Sequence, residues 1–117
     1  MIDPQVSEAY QKGRVRFMGL ELRIAAGVLV PRAETELLGH TAVCILSALA
    51  ISATRVIDMC CGAGNLACGL AHRMAHARIW AADLTAECVE IARLNVAACD
   101  LADRVSIHQG DLFDAFR

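Results

Sequence analysis

The stretch Arg55-Val56-Ile57-Asp58-Met59-Cys60-Cys61-Gly62-Ala63-Gly64-Asn65 constrains this chain more than any other. A short run rich in β-branched residues ends near an acidic residue, passes through small residues and two closely spaced glycines, and opens onto a helical pattern. That is strand, tight loop, helix. The pattern continues downstream. The helical segment, about Asn65 to Ala75, leads to a second strand-like run from Arg78 to Ala82, ended by Asp83. A further helix is expected from Thr85, a suitable N-cap, to about Ala98, with Glu87 in its first turn. A third strand, Arg104 to His108, ends at Gly110-Asp111. The order βαβαβ implies an α/β fold with a parallel sheet and right-handed helical crossovers.

Upstream, Arg14 to Leu29 alternates around Gly19 and Gly27, which predicts a hairpin in "RVRFMGLELRI". Pro31 and the polar cluster Arg32, Glu34 and Thr35 precede an apolar-periodic run from Leu37 to Leu49, read as a helix starting near Thr35. The chain divides on this reading into residues 1–34, a hairpin and covering segment, and residues 35–117, the α/β unit. At 117 residues it is shorter than the ~150 usual for a doubly wound domain, so an incomplete C-terminal end is expected.

Composition excludes several classes. With 56% hydrophobic residues the chain is built to bury itself. Its 11 Lys and Arg form no run and its formal net charge is -2, which argues against a nucleic-acid footprint. The apolar stretch from Ala42 to Ala53 is broken by Ser47 and Ser52 and falls short of the ~20 residues of a bilayer span. The opening Met-Ile-Asp-Pro lacks the pattern of a secretory signal, so the 6 cysteines are expected to be reduced and the location cytoplasmic. No cysteine pair has C-x-x-C spacing, which argues against zinc. Cys44, Cys68, Cys88 and Cys99 read as small buried apolar residues.

Ligands of open parallel sheets bind beyond the carboxyl ends of the strands. Those ends carry Asp58 with Gly62 and Gly64, then Asp83, then Asp111. Gly62 and Gly64 let the backbone turn tightly and approach a ligand, and the next helix offers the positive end of its dipole. Asp83, about twenty residues beyond the loop, is placed to accept both hydroxyls of a ribose. Asp111 is placed to meet a third moiety such as a base. Taken singly, a Gly-x-Gly is often only a turn and a strand-end Asp only a helix cap; three successive strand ends of this kind on one face are harder to produce by capping. Gly62 to Ala67 also fits G-x-G-x-x-[GA] of dinucleotide folds. Asp58 separates the two: a carboxylate there repels a pyrophosphate and attracts an ammonium or sulfonium group.

The segment "VIDMCCGAGN" resembles motif I of class I methyltransferases, "AADLT" the acidic strand end that follows it, and "HQGDLF" the adenine-side motif. "GVLVPRAETELL" resembles the segment preceding motif I in the HemK/PrmC family of protein-glutamine N5-methyltransferases, which act on peptide-chain release factors. The resemblance runs from about Phe17 to Phe113. It implies a Rossmann-like fold and S-adenosylmethionine as cofactor. It further implies that Asp58, Cys60, Gly62 and Gly64 surround the methionine end, that Asp83 holds the ribose, and that Leu84, Asp111 and Leu112 meet the adenine. Thr35 and Glu36 would touch the cofactor from the covering segment; helix-start charge is the competing explanation for Glu34 and Glu36.

Cys60 replaces the first glycine of motif I, and the vicinal Cys60-Cys61 pair is read as small residues suited to a turn rather than as reactive thiols. The family's Asn-Pro-Pro-Tyr signature, which holds the amide to be methylated, would follow a fourth strand; the chain stops at Arg117. No catalytic residue is therefore assigned. The 117-residue chain is expected to bind cofactor without turnover, and to form an oligomer, a two-fold dimer joined through the edges of its first parallel strands or by exchange of the N-terminal hairpin. The acceptor implied for the complete enzyme is a glutamine in a protein. A non-catalytic cofactor-binding module and an adenine N-methyltransferase remain as alternatives.

Overall fold

In the computed structural model, which describes residues 3–117, the first element is a helix absent from the sequence reading, α1 (Pro4–Lys12). Asp3 caps it by accepting from the Gln5 N–H at 2.8 Å, Pro4 opens its first turn and Gly13 closes it in the left-handed region. The hairpin follows as β1 (Arg14–Phe17) and β2 (Leu20–Arg23), then α2 (Ala33–Ala48). The parallel unit consists of β3 (Arg55–Met59), α3 (Asn65–Arg73), β4 (Arg78–Asp83), α4 (Ala86–Ala98) and β5 (Val105–Gln109). A short 3-10 helix at Leu112–Phe116 comes last. The expected α/β order is present, with strand order β3-β4-β5 and β4 in the centre.

Registers run Asp58 to Ala81 and Asp83 to Gln109, so the carboxyl ends of all three strands come out on one edge of the sheet. Thr85 caps α4 as expected, its Oγ1 accepting from the Cys88 N–H at 3.3 Å. Helix α3 ends two residues before Ala75, because Met74 leaves helical geometry. Arg104 takes up the carbonyls released there: its guanidinium donates to Ala71 at 2.8 Å, Met74 at 3.0 Å and Ala77 at 3.1 Å. A cation at a helix C-terminus also meets the negative end of the dipole.

The core gathers Ile79 and Ala81 of β4, Val105 and Ile107 of β5, Cys68 and Leu70 of α3, and Val89 and Val96 of α4. Phe17, Met18 and Leu22 of the hairpin belong to the same cluster. Of the cysteines read as buried, Cys68 and Cys88 are, Cys99 is half-buried, and Cys44 is exposed. The reading fails for Cys44 because α2 has more apolar residues than one face can bury: Ala42, Val43 and Leu46 pack inward, while Leu38, Ile45 and Leu49 face outward.

The hairpin is docked by its turn. Met18 and Gly19 link the strands, both at positive φ (49° and 82°), as the right-handed twist of a two-residue hairpin loop requires. Glycine takes that conformation readily; methionine is strained there. The strain is held by packing, because the Met18 side chain is 1% exposed and lies between Gly39 of α2 and Gly69 of α3. A Cβ at either glycine would collide with the Met18 sulfur. The Met18 N–H donates to Glu36 Oε2 at 3.0 Å, which ties the turn to the first turn of α2. In an exposed helix, glycine to alanine is stabilising. Here Gly69→Ala is expected to lower unfolding stability by about 1–3 kcal/mol through overpacking. Adding Met18→Ala is expected to cancel part of the overpacking, giving a non-additive double-mutant cycle in urea unfolding.

Candidate functional site

Between β3 and α3 the chain must reverse into a helix within a few residues. It does so with three left-handed residues: Cys60 (φ 59°), Gly62 (φ 56°) and Gly64 (φ 79°). Cys60 thus adopts the glycine-like conformation that motif I calls for at its first position, at the strain cost of a non-glycine residue. At Gly64 the conformation is joined by a close approach, since a Cβ would lie 3.2 Å from that of Ala92 on α4. At Gly62 a Cβ would meet nothing within 4 Å, so the loop there faces open space.

Both sequence-predicted acids organise this turn. Gly64, the N-cap of α3, has no capping side chain of its own. Asp58 supplies the missing acceptor: its Oδ2 receives the Ala67 N–H at 3.2 Å. Asp83 reaches across from the neighbouring strand, its Oδ2 accepting from the Gly62 N–H at 2.9 Å and its Oδ1 from the Leu84 N–H at 2.7 Å. Asp83 Oδ1 also accepts from the Thr85 N–H at 3.4 Å, whereas its Oδ2 and the Asp58 Oδ2 each hold a single backbone bond and keep a further lone pair. Burial pushes Asp58 up to about 6, the Ala67 hydrogen bond pulls it down, and the neighbouring Asp83 charge raises it further. The same burial, with Asp58 and Asp83 nearby, pushes the buried Cys61 thiol up to about 12, which leaves it unreactive at neutral pH.

Leu84 is 63% exposed at the tip of β4, its carbonyl accepting from Gln109 Nε2 at 3.3 Å. Beyond β5, Asp111 precedes the 3-10 helix without a side-chain capping bond, and Leu112 is exposed with a left-handed φ of 49°. The structure therefore sets Asp58, Cys60, Gly62, Gly64, Asp83, Leu84, Asp111 and Leu112 along one sheet edge. Thr35 and Glu36 lie in the first turn of α2 and, among the described residues, share no hydrogen bond with that group; Glu36 is committed to Met18. Val28 represents the covering segment at the loop: it is 1% exposed and packs with Ala63 and Cys88. Tyr10 Oη holds its carbonyl at 2.7 Å.

Sequence reasoning missed Asn95. It is fully buried on α4 and bonded to both Arg23 and Ala63. An amide inside an otherwise apolar helix face, "CVEIARLNVAA", was the signal available.

Residues 36–117 match the family described as Methyltransferase small domain. Over 108 residues the chain is 35% identical to the release factor glutamine methyltransferase of Chlamydia trachomatis serovar L2, covering 92% of this chain and 36% of the relative. Over 119 residues it is 32% identical to the ribosomal protein uL3 glutamine methyltransferase of Bordetella pertussis, covering 98% and 40%. The chain thus spans somewhat over a third of the length of these relatives. Among solved structures, the N-terminal domain of human METTL16 in complex with SAH superposes with a TM-score of 0.69, covering 96% of this chain and 44% of that one at 19% identity, a likeness of fold.

Because Asp58 binds its proton more tightly folded than unfolded, its contribution to stability is present below pH 3.8 and is lost as pH rises through about 6. Asp58→Asn keeps an acceptor for Ala67 without the buried charge. Urea unfolding should show the parent chain losing on the order of 2–3 kcal/mol relative to this variant between pH 4 and 7. Parallel pH profiles for the two would contradict that origin of the shift.

Proposed function

The chain belongs to the methyltransferase small domain family, and on that premise we propose that it binds S-adenosylmethionine for methyl transfer to a glutamine side-chain nitrogen in a protein such as a peptide-chain release factor. The observation that carries the reading is Asp58. Its carboxylate lies under the glycine loop at the end of β3, where a dinucleotide would place its pyrophosphate. The half-buried acid favours a cationic ligand end, such as an amino-acid ammonium group, and opposes phosphate.

The residues present fit this cofactor. Open space above Gly62 admits the amino-acid end against backbone. Asp83 accepts two backbone N–H bonds at Oδ1 and one at Oδ2, so Oδ2 keeps a lone pair able to accept from a ribose hydroxyl. Leu84 at the end of β4 and Leu112 next to Asp111 beyond β5 are exposed apolar side chains, suited to an adenine ring. When bound, S-adenosylmethionine supplies an electrophilic methyl group on a positively charged sulfur. The chain contributes binding, orientation and electrostatics, and none of its residues is assigned a proton-transfer role. In this reading residues 1–34 cover the cofactor, with Val28 as anchor and Thr35 and Glu36 at the margin, and residues 35–117 form the binding unit.

Support for a protein acceptor comes from the glutamine methyltransferases among the relatives. The absence of a basic run in the sequence counts against adenine in nucleic acid. No helix among the described residues is long and apolar enough to cross a membrane; a cytoplasmic location is part of the proposal. So is self-association of the 117-residue chain. One side of β3 has no partner strand among the described residues, Ile57 on it is 51% exposed, and two clefts border it, an apolar one lined by Leu38 and Leu66 and a mixed one lined by Trp80 and Phe116 with Arg55, His108 and Arg117. A second copy of β3 can satisfy the free ladder groups and fill both clefts.

Calorimetric titration is expected to show binding of S-adenosylhomocysteine and none of NAD; equal binding of both would overturn the cofactor reading. Affinity should fall as pH drops through about 6, where Asp58 takes up its proton. Asp83→Ala should weaken binding by about 1.5–3 kcal/mol, the scale of hydrogen bonds to a charged group. Light scattering at tens of micromolar should give a dimer mass; a monomer with cooperative unfolding would refute pairing through β3.

A further inference from the structure

Asn95 is fully buried, and every polar bond it makes leads away from its own helix. Its Oδ1 accepts from the Arg23 N–H at 2.6 Å. Its Nδ2 donates to the Arg23 carbonyl at 3.1 Å and to the Ala63 carbonyl at 2.8 Å. The first two bonds copy a strand partner, one donor and one acceptor against the end of β2. The third reaches the residue between the two left-handed glycines. The orientation of the amide follows from these partners, since a flipped group would set its NH2 against the Arg23 N–H and its oxygen against two carbonyls.

We propose that Asn95 is a positioning residue that couples the docked hairpin to the glycine loop and so fixes the loop in the shape that receives the amino-acid end of the cofactor; this rests on the cofactor reading above. The Ala63–Gly64 peptide plane is held on both sides, its carbonyl by Asn95 and its N–H by the Cys61 carbonyl at 2.8 Å. Two peptide units earlier in the turn, the Gly62 N–H is held by Asp83. With Asn95 removed, the plane keeps only the bond from its own turn, and Ala63 gains the freedom that the glycines on either side of it confer. Packing alone does not explain the residue. An apolar side chain would fill the space without the cost of desolvating an amide, which is offset only when all its partners are present. What the amide adds is the link from Arg23 to Ala63.

The coupling predicts a selective defect. The adenosine part of the cofactor is assigned to Asp83, Leu84 and Asp111, none of which touches Asn95, whereas the amino-acid end is assigned to the loop. S-adenosylhomocysteine and 5′-methylthioadenosine, which lacks the amino-acid end, are titrated into the full 117-residue chain and into Asn95→Leu and Asn95→Asp. The Kd for S-adenosylhomocysteine should rise about tenfold or more in both variants, while that for methylthioadenosine stays within about twofold. A merely structural residue would weaken both ligands together. Equal losses for the two ligands, or none, would overturn the coupling, whereas failure of the unaltered chain to bind S-adenosylhomocysteine would overturn the cofactor reading itself. Should the variants not fold, the side-chain amide resonances of Asn95 in the unaltered chain decide. They should shift with S-adenosylhomocysteine and hold still with methylthioadenosine; immobility with both ligands would overturn the proposal.

Discussion

The turn from β3 into α3 can exist only because its backbone groups find partners on other elements. Left-handed residues at 60, 62 and 64 leave backbone groups beyond the one bond the turn makes to itself, Gly64 N–H to the Cys61 carbonyl, and an unpaired buried N–H or carbonyl costs about 1–3 kcal/mol. Asp58 from β3, Asp83 from β4 and Asn95 from α4 each supply one of the missing bonds. The parallel sheet brings Asp83 within reach, and the crossover through α4 brings Asn95 back over the loop. Gly64 then allows α4 to pack close enough for that bond to form. Loop, sheet and crossover are therefore one requirement met in three places.

How much of this the sequence displays depends on whether the determinant is local. Strand-to-helix junctions announce themselves through hydrophobic period and through glycine, so β3, α3, β4, α4 and β5 are legible to within a residue or two at most ends. Asp58, Asp83 and Asp111 are legible because topology alone sends the strand ends to one edge. The α1 helix carries Asp3-Pro4 at its start and Gly13 at its end. It escapes notice because its middle is polar and short, with a single buried residue, Ala9. Asn95 and Met18 escape for a different reason. Their partners lie far away in the chain, at Arg23 and Ala63 for one and at Gly39 and Gly69 for the other, so nothing in their own neighbourhoods reports the role.

The N-terminal hairpin illustrates how a small element becomes part of a larger core. Two four-residue strands are marginal by themselves in water. Here the turn residue Met18 is inserted between two helices at glycine positions, Glu36 receives its N–H, and Asn95 pairs with the far end of β2. Together the attachments reach three helices, α2 and α3 through Met18, α2 again through Glu36, and α4 through Asn95. Movement of the hairpin would thus be felt in α2, α3 and α4 at once, and through Asn95 in the loop.

The arrangement of Asp58 and Asp83 opposes stability. Two carboxylates converge on one turn, one of them half-buried and pushed up to about 6 by that burial and by the other's charge. An asparagine at position 58 could cap α3 equally well through its amide oxygen without the desolvation. Retaining the charge makes physical sense where a cation comes to neutralise it, since the energy that burial adds to the free carboxylate is recovered when an opposite charge binds. The residue that weakens the empty fold is then the one that gives the site its preference for a positively charged ligand end.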